Sequence, residues 1–523
     1  MKLNQIVNKT FPFIAFIIGI WYFCIRLLGY HFEYIPGDLG DSRFINYLLE
    51  NVHYWLTGKD PSFWDAGFMY PFKNTIALSD NMLGTIPFYS IWRIFGFSPE
   101  SSYQLWWVCI CTLNYWCSYY VFRKWFGRSE IALILAWIFA FSIFNLGQLN
   151  YMQMIIRFMV PVVFYAVFQM LNTPSIKYFL IFCLGIVYQL YCVLYTGIYL
   201  FYFSVLFILV YYLISKKWKD LLFYFRKERV AYTLIIFLFS ALTLLWLFIP
   251  YIKMSKIVGT LQYIEVEPNI PYIKSYLFPH ESSKTWSFLF KIAKPEVPIW
   301  WLHYLFIGII PFLTMVVSPL YFMYNWYKKI KTPILLKAII ITSAIIILFH
   351  IRTKSGHSLY AILFAMPGIS NIRVLTRFMN VEIFLLLIIT GYFLAKIKSK
   401  YILLFILLVF TDNLFSPEHV PRKQKAALVK RKEILLTELV KCDLKKYKAV
   451  AYLDTTQECF IPNIDIMLVA QSIGINTVNG YSSYCPSGLI DFTKKNSEEG
   501  LYKWLTDQKI SRDDILLIKN EIK

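Results

Sequence analysis

Along the chain, long apolar runs alternate with short polar breaks. Eleven runs approach the ~20 apolar residues needed to cross a bilayer: 10–29, 103–122, 130–146, 157–172, 177–194, 197–215, 231–251, 302–324, 333–351, 377–395 and 400–415. The stretch 178–215 carries no charged residue and is too long for one helix, so it divides near Tyr195-Thr196-Gly197. Residues 82–97 are apolar but short, and Pro87 and Arg93 interrupt them, which predicts a re-entrant or interfacial segment. The first run, Phe11 to Leu28, is long and no small-residue cleavage site follows it, which reads as an uncleaved span. The expected fold is an all-α polytopic membrane protein of about eleven transmembrane helices.

After Pro417 the pattern changes. Residues 424–442 read as a helix, Lys448–Leu453 as a strand, Ile464–Ile473 as a helix, Asn476–Val478 as a short strand, Lys494–Thr506 as a helix and Ile515–Ile518 as a strand. This alternation predicts a small α/β domain over 416–523, following a transmembrane domain over 1–415. No glycine-rich phosphate loop occurs in it, and Asn479-Gly480-Tyr481-Ser482 is a turn signal.

Composition agrees with a membrane protein: 58% of the residues are hydrophobic and 19% aromatic, against ~45–50% apolar in a soluble domain. The net charge of +21 does not point to nucleic acid, because the lysines and arginines sit in short loops between apolar runs. That placement orients the chain in the plasma membrane. Lys2 and Lys9, Arg123–Arg128, Lys216–Arg229, Lys328–Lys331 and Lys396–Lys400 fall on one side, which is then cytoplasmic. Segments 30–102, 252–301, 352–376 and 416–523 face outward. Of nine cysteines, six lie in apolar runs; Cys459 and Cys485 either pair or stay free. No C-x-x-C or Cys/His metal spacing is present.

The first outer segment, 30–102, reverses the local charge, with eight acidic residues against four basic. Within it Phe44, Leu48, Val52, Trp55 and Leu56 recur at helical spacing, predicting a helix on the membrane surface or packed on its neighbours. Just before that helix stands Gly37-Asp38-Leu39-Gly40-Asp41. Carboxylates at a membrane surface are costly unless solvated, paired or used. Asp38 and Asp41 are candidates for a general base or a metal ligand, against a solvated loop in which Asp41 caps the helix. Asp80 is a second candidate carboxylate or a helix cap. Trp64 and Tyr70, among other aromatics of this loop, suit sugar stacking and equally an interfacial belt.

Basic residues on the outer side run against the orientation rule. Arg157, Arg352, Lys354, Arg373 and Arg377 are candidates for holding a phosphate or pyrophosphate; Arg373 and Arg377, four apart, would share one helix face. The alternative is snorkelling to headgroups or pairing with Glu382. His280 and His303 lack partner spacing and read as ordinary polar residues. No His-Glu-x-x-His, Gly-x-Ser-x-Gly or Walker-type run occurs.

An uncleaved first span, an acidic first outer loop with surface helices, about eleven spans and a C-terminal outer domain together resemble the membrane-embedded glycosyltransferases of the C superfamily (the GT-C fold). The stretches Pro36–Phe44, Tyr70-Pro71-Phe72, Ser79-Asp80-Asn81, Ile372–Phe378 and Val478–Ser482 resemble poorly characterised bacterial members. The resemblance implies a polyprenyl-phosphate sugar donor and an acceptor on a glycan, lipid or protein. It also implies Asp41 or Asp38 as base, Asp80 as an assisting acid, and Arg373 and Arg377 as phosphate ligands. Many members have adjacent acidic residues in the first loop, whereas here Leu39-Gly40 separates them. A divalent cation is left open, as are two rival functions. A lipid-linked-sugar transporter predicts charges in mid-helix and matching broken helices. A non-catalytic envelope-assembly protein predicts dispensable aspartates.

Overall fold

The computed structural model describes residues 2–482 and 484–520, the side chains of residues 2–9 excepted. Lys2 and Lys9, used above for orientation, therefore lie outside the described side chains. Each of the eleven apolar runs is mainly helical, and this is a multi-pass membrane protein. Among the described residues five helical segments are long and apolar enough to cross on their own: Thr10–Leu28, Leu194–Ser215, Lys227–Val258, Ile309–Tyr327 and Leu375–Leu394. A sixth appears if Ser129–Phe141 and Ile143–Ile155, bent by 46°, form one broken span. Met159–Asn172, Ile176–Cys192 and Ile334–His350 are apolar but shorter. The longest helix after Lys227–Val258, Pro99–Phe126, shows how local chemistry sets its bounds. Ser98 accepts from the Ser101 N–H, Pro99 occupies the first turn, and Gly127 ends it at φ +70°.

Two expected spans differ in outline. The run 130–146 is helical only to Phe141, and 143–155 then winds as a 3₁₀ segment. Buried amides hold that bend: Asn145 Nδ2 donates to the Ala140 carbonyl at 2.8 Å, and the Ile143 N–H donates to Asn413 Oδ1 at 2.7 Å. The run 302–324 becomes α-helical only at Ile309. Residues 82–97 contain the helix Pro87–Ile94, which at 1.5 Å per residue covers about 12 Å of the ~30 Å hydrocarbon layer and does not cross it. Arg93 on it pairs with Glu50 at 2.8 Å.

The helix Asp41–Leu56 is packed on its neighbours. Ser42 through His53 are all buried, because the C-terminal part covers the face that would otherwise meet water. Strand β1 (Tyr34–Pro36) pairs antiparallel with β2 (Arg422–Gln424), tying the loop over 30–102 to the start of that part. The helix Phe460–Ile473 then lies on Asp41–Leu56. Gln471 Nε2 donates to the Tyr47 carbonyl at 3.1 Å, and buried Asp465 accepts from both Arg43 and Arg431.

The C-terminal part is built on three parallel strands in the order β4–β3–β5: β3 (Ala449–Asp454), β4 (Asn476–Thr477) and β5 (Ile515–Asn520). Ala449 stands opposite Ile515 and Val450 opposite Leu516. All six residues of β3 are buried, as expected of a central parallel strand covered on both faces. The single helix expected over 494–506 is two, Ile490–Lys495 and Glu498–Asp507. Asn496 takes φ +51° between them, and Ser497 caps the second by accepting from the Gly500 N–H.

Candidate active site

The turn before Asp41–Leu56 decides what its two aspartates do. Gly37 takes φ +102°, and a Cβ there would lie 2.6 Å from Ser42 Cβ and 2.8 Å from the Leu149 carbonyl oxygen. Only glycine lets the chain turn this tightly into the helix. Asp38 is consumed by the turn: its Oδ1 accepts from the Gly40 N–H at 3.0 Å, and its carbonyl accepts from Ser42 Oγ at 2.7 Å. Asp41 opens the helix without capping it. Its carboxylate faces a cavity of about 830 Å³.

That cavity also brings together Asp80, Arg373 and Arg377. Asp80 Oδ1 accepts from the Leu194 N–H at 2.9 Å, at the positive end of the Leu194–Ser215 helix. It therefore caps a helix distant in sequence, not the one that follows it. Arg373 and Arg377 do not share a helix face: Arg373 precedes the 3₁₀ turn Leu375–Phe378 and Arg377 lies within it. The Arg377 guanidinium lies over the rings of Tyr195 (4.5 Å) and Tyr151 (5.1 Å). Among the described residues neither arginine forms an ion pair or side-chain hydrogen bond. Glu382, the rival partner, instead accepts from the Tyr276 hydroxyl at 2.8 Å.

The electrostatics follow from burial. Burial and the nearby Asp38 push the Asp41 carboxyl up to about 6, against the pull of Arg377, the Tyr481 hydroxyl and Arg373. Burial raises Asp38 and Asp80 above the ordinary carboxylate range as well; backbone N–H donors oppose it at both, and Arg377 opposes it at Asp80.

The cavity wall is part polar, with Asp41, Asp80, Gln153, Arg373, Arg377, Tyr481 and Lys494. It is part apolar, a trough of Ile186, Leu190, Ile198, Phe201, Leu244, Phe248 and Ile252 from the helices Ile176–Cys192, Leu194–Ser215 and Lys227–Val258. Phe201 and Ile252 are themselves exposed, at 43% and 52%, so the trough reaches the apolar outer surface of the helices.

Other candidates lie elsewhere. Arg157 is fully buried, not at the outer surface. It donates to Asn380 Oδ1 at 2.8 Å, to Asn145 Oδ1 at 2.6 Å and to the Phe139 carbonyl, and it stacks on Phe139. It joins three membrane segments and is not part of the cavity wall. Arg352 lies over the Tyr272 ring at 4.5 Å and donates to the Glu267 carbonyl, bracing the loop over 259–273; Lys354 is exposed on a turn. Trp64 packs against Trp246 and Tyr251 behind the wall. The Tyr70 carbonyl accepts from Trp504 Nε1 at 3.0 Å, at the joint with the C-terminal part. His280 is buried against Tyr304, with Nδ1 bonded to Ser282. Cys459 and Cys485 are free thiols.

The sequence reading missed Gln153, Tyr195, Ser482 and Tyr484 as cavity residues, and Tyr481 as the partner of Asp41. The turn signal at 479–482 and the resemblance over Val478–Ser482 marked Tyr481 and Ser482. Among the described residues no three His, Cys, Asp or Glu side chains gather. Two carboxylates sharing a wall with two guanidiniums are a poor donor set for a divalent cation.

No protein-family profile matches the chain, and no curated protein does. Among solved structures it is similar to the archaeal oligosaccharyltransferase AglB from Archaeoglobus fulgidus, in complex with an inhibitory peptide and a dolichol-phosphate. The identity is 12% and the TM-score 0.49, over 98% of this chain and 69% of that one. It is also similar to the oligosaccharyltransferase of Archaeoglobus fulgidus in the apo form, at 14% identity and TM-score 0.32, over 96% of this chain and 60% of that one.

Proposed function

We propose that this chain is a membrane-embedded glycosyltransferase that moves a sugar from a polyprenyl-phosphate donor to an acceptor hydroxyl at the outer face of the membrane. One observation carries the reading. A single cavity wall combines two carboxylates, two guanidiniums that form no ion pair among the described residues, and an apolar trough open to the surface of the helices. That shape suits an amphiphile with an anionic head and a long hydrocarbon tail. Arg373 and Arg377 can hold a phosphate through several N–H donors each, and the trough takes the tail.

In this reading the acceptor oxygen attacks the anomeric carbon as the bond from that carbon to the phosphate oxygen breaks. The electron pair leaves with the lipid phosphate, whose charge the two arginines stabilise. No general acid is needed for a leaving group that departs ionised. The acceptor proton passes to Asp41, whose carboxylate is half-ionised near pH 6 and ionised at neutral pH. Asp80, anchored by the Leu194 N–H and facing the Gln153 amide, orients the acceptor or donor sugar. Asp38 serves the turn, through its carboxylate and its carbonyl.

The test is incorporation of label from a panel of polyprenyl-phosphate hexoses and pentoses into material at the outer face of membranes holding the protein. Asp41→Asn should abolish incorporation while expressing normally. Full incorporation by Asp41→Asn would end the proposal.

A further inference from the structure

The turn Asn479-Gly480-Tyr481-Ser482 is held more firmly than a connecting turn requires. Asn479 Nδ2 donates to the Tyr452 carbonyl at 2.9 Å and to Asn463 Oδ1 at 2.7 Å, while its Oδ1 accepts from the Tyr452 N–H at 2.8 Å. Its carbonyl accepts from the Met69 N–H at 3.0 Å. Gly480 passes so close to the outer loop that a Cβ would stand 2.2 Å from Met69 Cγ. Ser482 Oγ donates to the Leu78 carbonyl at 2.7 Å. The turn is thus fixed both to the C-terminal sheet and to the loop that carries the aspartates.

What this fixation presents is one side chain. The Tyr481 ring packs against Phe44 at 5.3 Å and Phe460 at 6.3 Å, and its hydroxyl donates to Asp41 Oδ1 at 3.1 Å. The opposite side has been kept clear: a Cβ on Gly40 would meet the Tyr481 hydroxyl at 3.0 Å. Asp38, Arg373, Arg377, Tyr103 and Tyr151 also act on Asp41 through their charges or lie in its field. Among the described residues only Tyr481 is hydrogen-bonded to its carboxylate.

We infer that Tyr481 is a positioning residue for Asp41, fixing one carboxylate oxygen so that the other faces the cavity, and that the C-terminal part thereby completes the site. This rests on the reading of Asp41 as the base. A hydrogen bond donated to a carboxylate favours its ionised form. Removing the hydroxyl should therefore make Asp41 harder to ionise while the ring packing stays.

The experiment needs no substrate. Dicyclohexylcarbodiimide modifies protonated carboxyl groups, so its adduct on Asp41, followed by mass spectrometry across pH in the full chain in nanodiscs, reports the ionisation midpoint. Wild type should give a midpoint near 6. Tyr481→Phe should move it up by about 1 pH unit, a tenfold change in the ionisation constant. Gly40→Ala, which crowds the hydroxyl from the other side, should move it in the same direction and carries the test if Tyr481→Phe does not fold. Tyr452→Phe, which loses a buried hydroxyl bond to Asp454 in the same part, should leave it in place. An unmoved midpoint in Tyr481→Phe and Gly40→Ala overturns the role of Tyr481, even if Asp41→Asn is inactive. A moved midpoint with an active Asp41→Asn keeps the contact and removes Asp41 as base.

Discussion

Replacing Asp465 by alanine removes the centre of a buried charge cluster that joins the C-terminal part to the helix bearing Asp41. Asp465 and Arg43 have side chains only 4% exposed, and Arg431, on the other side of Asp465, is 29% exposed. Losing one partner of a buried pair costs about 3–5 kcal/mol, because the remaining charge stays desolvated. The Arg431 contact, nearer solvent, adds about 0–1 kcal/mol. Taking the lower figure, ~3 kcal/mol at about 1.4 kcal/mol per tenfold raises the open population of this joint by roughly 100-fold. Limited proteolysis of the protein in nanodiscs, read as the rate of cleavage between residues 416 and 424, measures that population. Asp465→Ala should be cut about 100-fold faster than wild type, and Arg431→Ala no more than about fivefold faster. The double variant Arg43→Met, Asp465→Leu should recover most of the loss, since it leaves no buried charge at that pair. Wild-type cleavage rates in Asp465→Ala would refute the argument, as would a double variant worse than Asp465→Ala.

Three further outcomes follow from the same geometry. Asp38→Asn keeps an oxygen to accept from the Gly40 N–H, so it should retain transfer within about tenfold, where Asp41→Asn loses ~10²-fold or more; label incorporation separates the two. Asp41 is raised from 3.8 to about 6 in the fold, so between those values the unfolded chain has released a proton that the folded chain still holds. Stability contributed by Asp41 is then full below the lower value and falls as pH rises through the upper one. Asp41→Asn should accordingly gain up to ~3 kcal/mol over wild type at pH 7 and nothing at pH 3, measurable as a difference in thermal unfolding. Arg157→Met should lower folded yield by leaving Asn145 and Asn380 without their donor, while the folded fraction binds a lipid phosphate as wild type does.

Much of this arrangement was legible because it is local. The helices announce themselves by apolar runs, and the strands of the C-terminal part by short apolar stretches alternating with helical ones. Asp41, Asp80, Arg373 and Arg377 stood out because charge is conspicuous beside a membrane, and all four line one cavity. What was not legible depends on contacts far apart in the chain. Nothing near Arg157 signals that Asn380, 223 residues later, will accept its N–H, so an intramembrane brace looked like an outer-surface cation. Nothing near Arg43 signals that Asp465, 422 residues later, will accept its N–H, so spacing alone left the helix between the membrane surface and packing on its neighbours. Asp38 and Asp41 were inseparable by spacing; the backbone of Gly40 distinguishes them, by using one of the two carboxylates to close a turn.

The central claim is that the cavity takes a lipid phosphate by its head and its tail together. Native mass spectrometry of the protein in nanodiscs, titrated with polyprenyl phosphate and with the matching polyprenol, tests it most directly. Saturable binding of the phosphate, weak binding of the alcohol, and loss of the difference in the Arg373→Ala, Arg377→Ala double variant are the expected results. Equal binding of alcohol and phosphate by the wild type, or undiminished phosphate binding by the double variant, would contradict it.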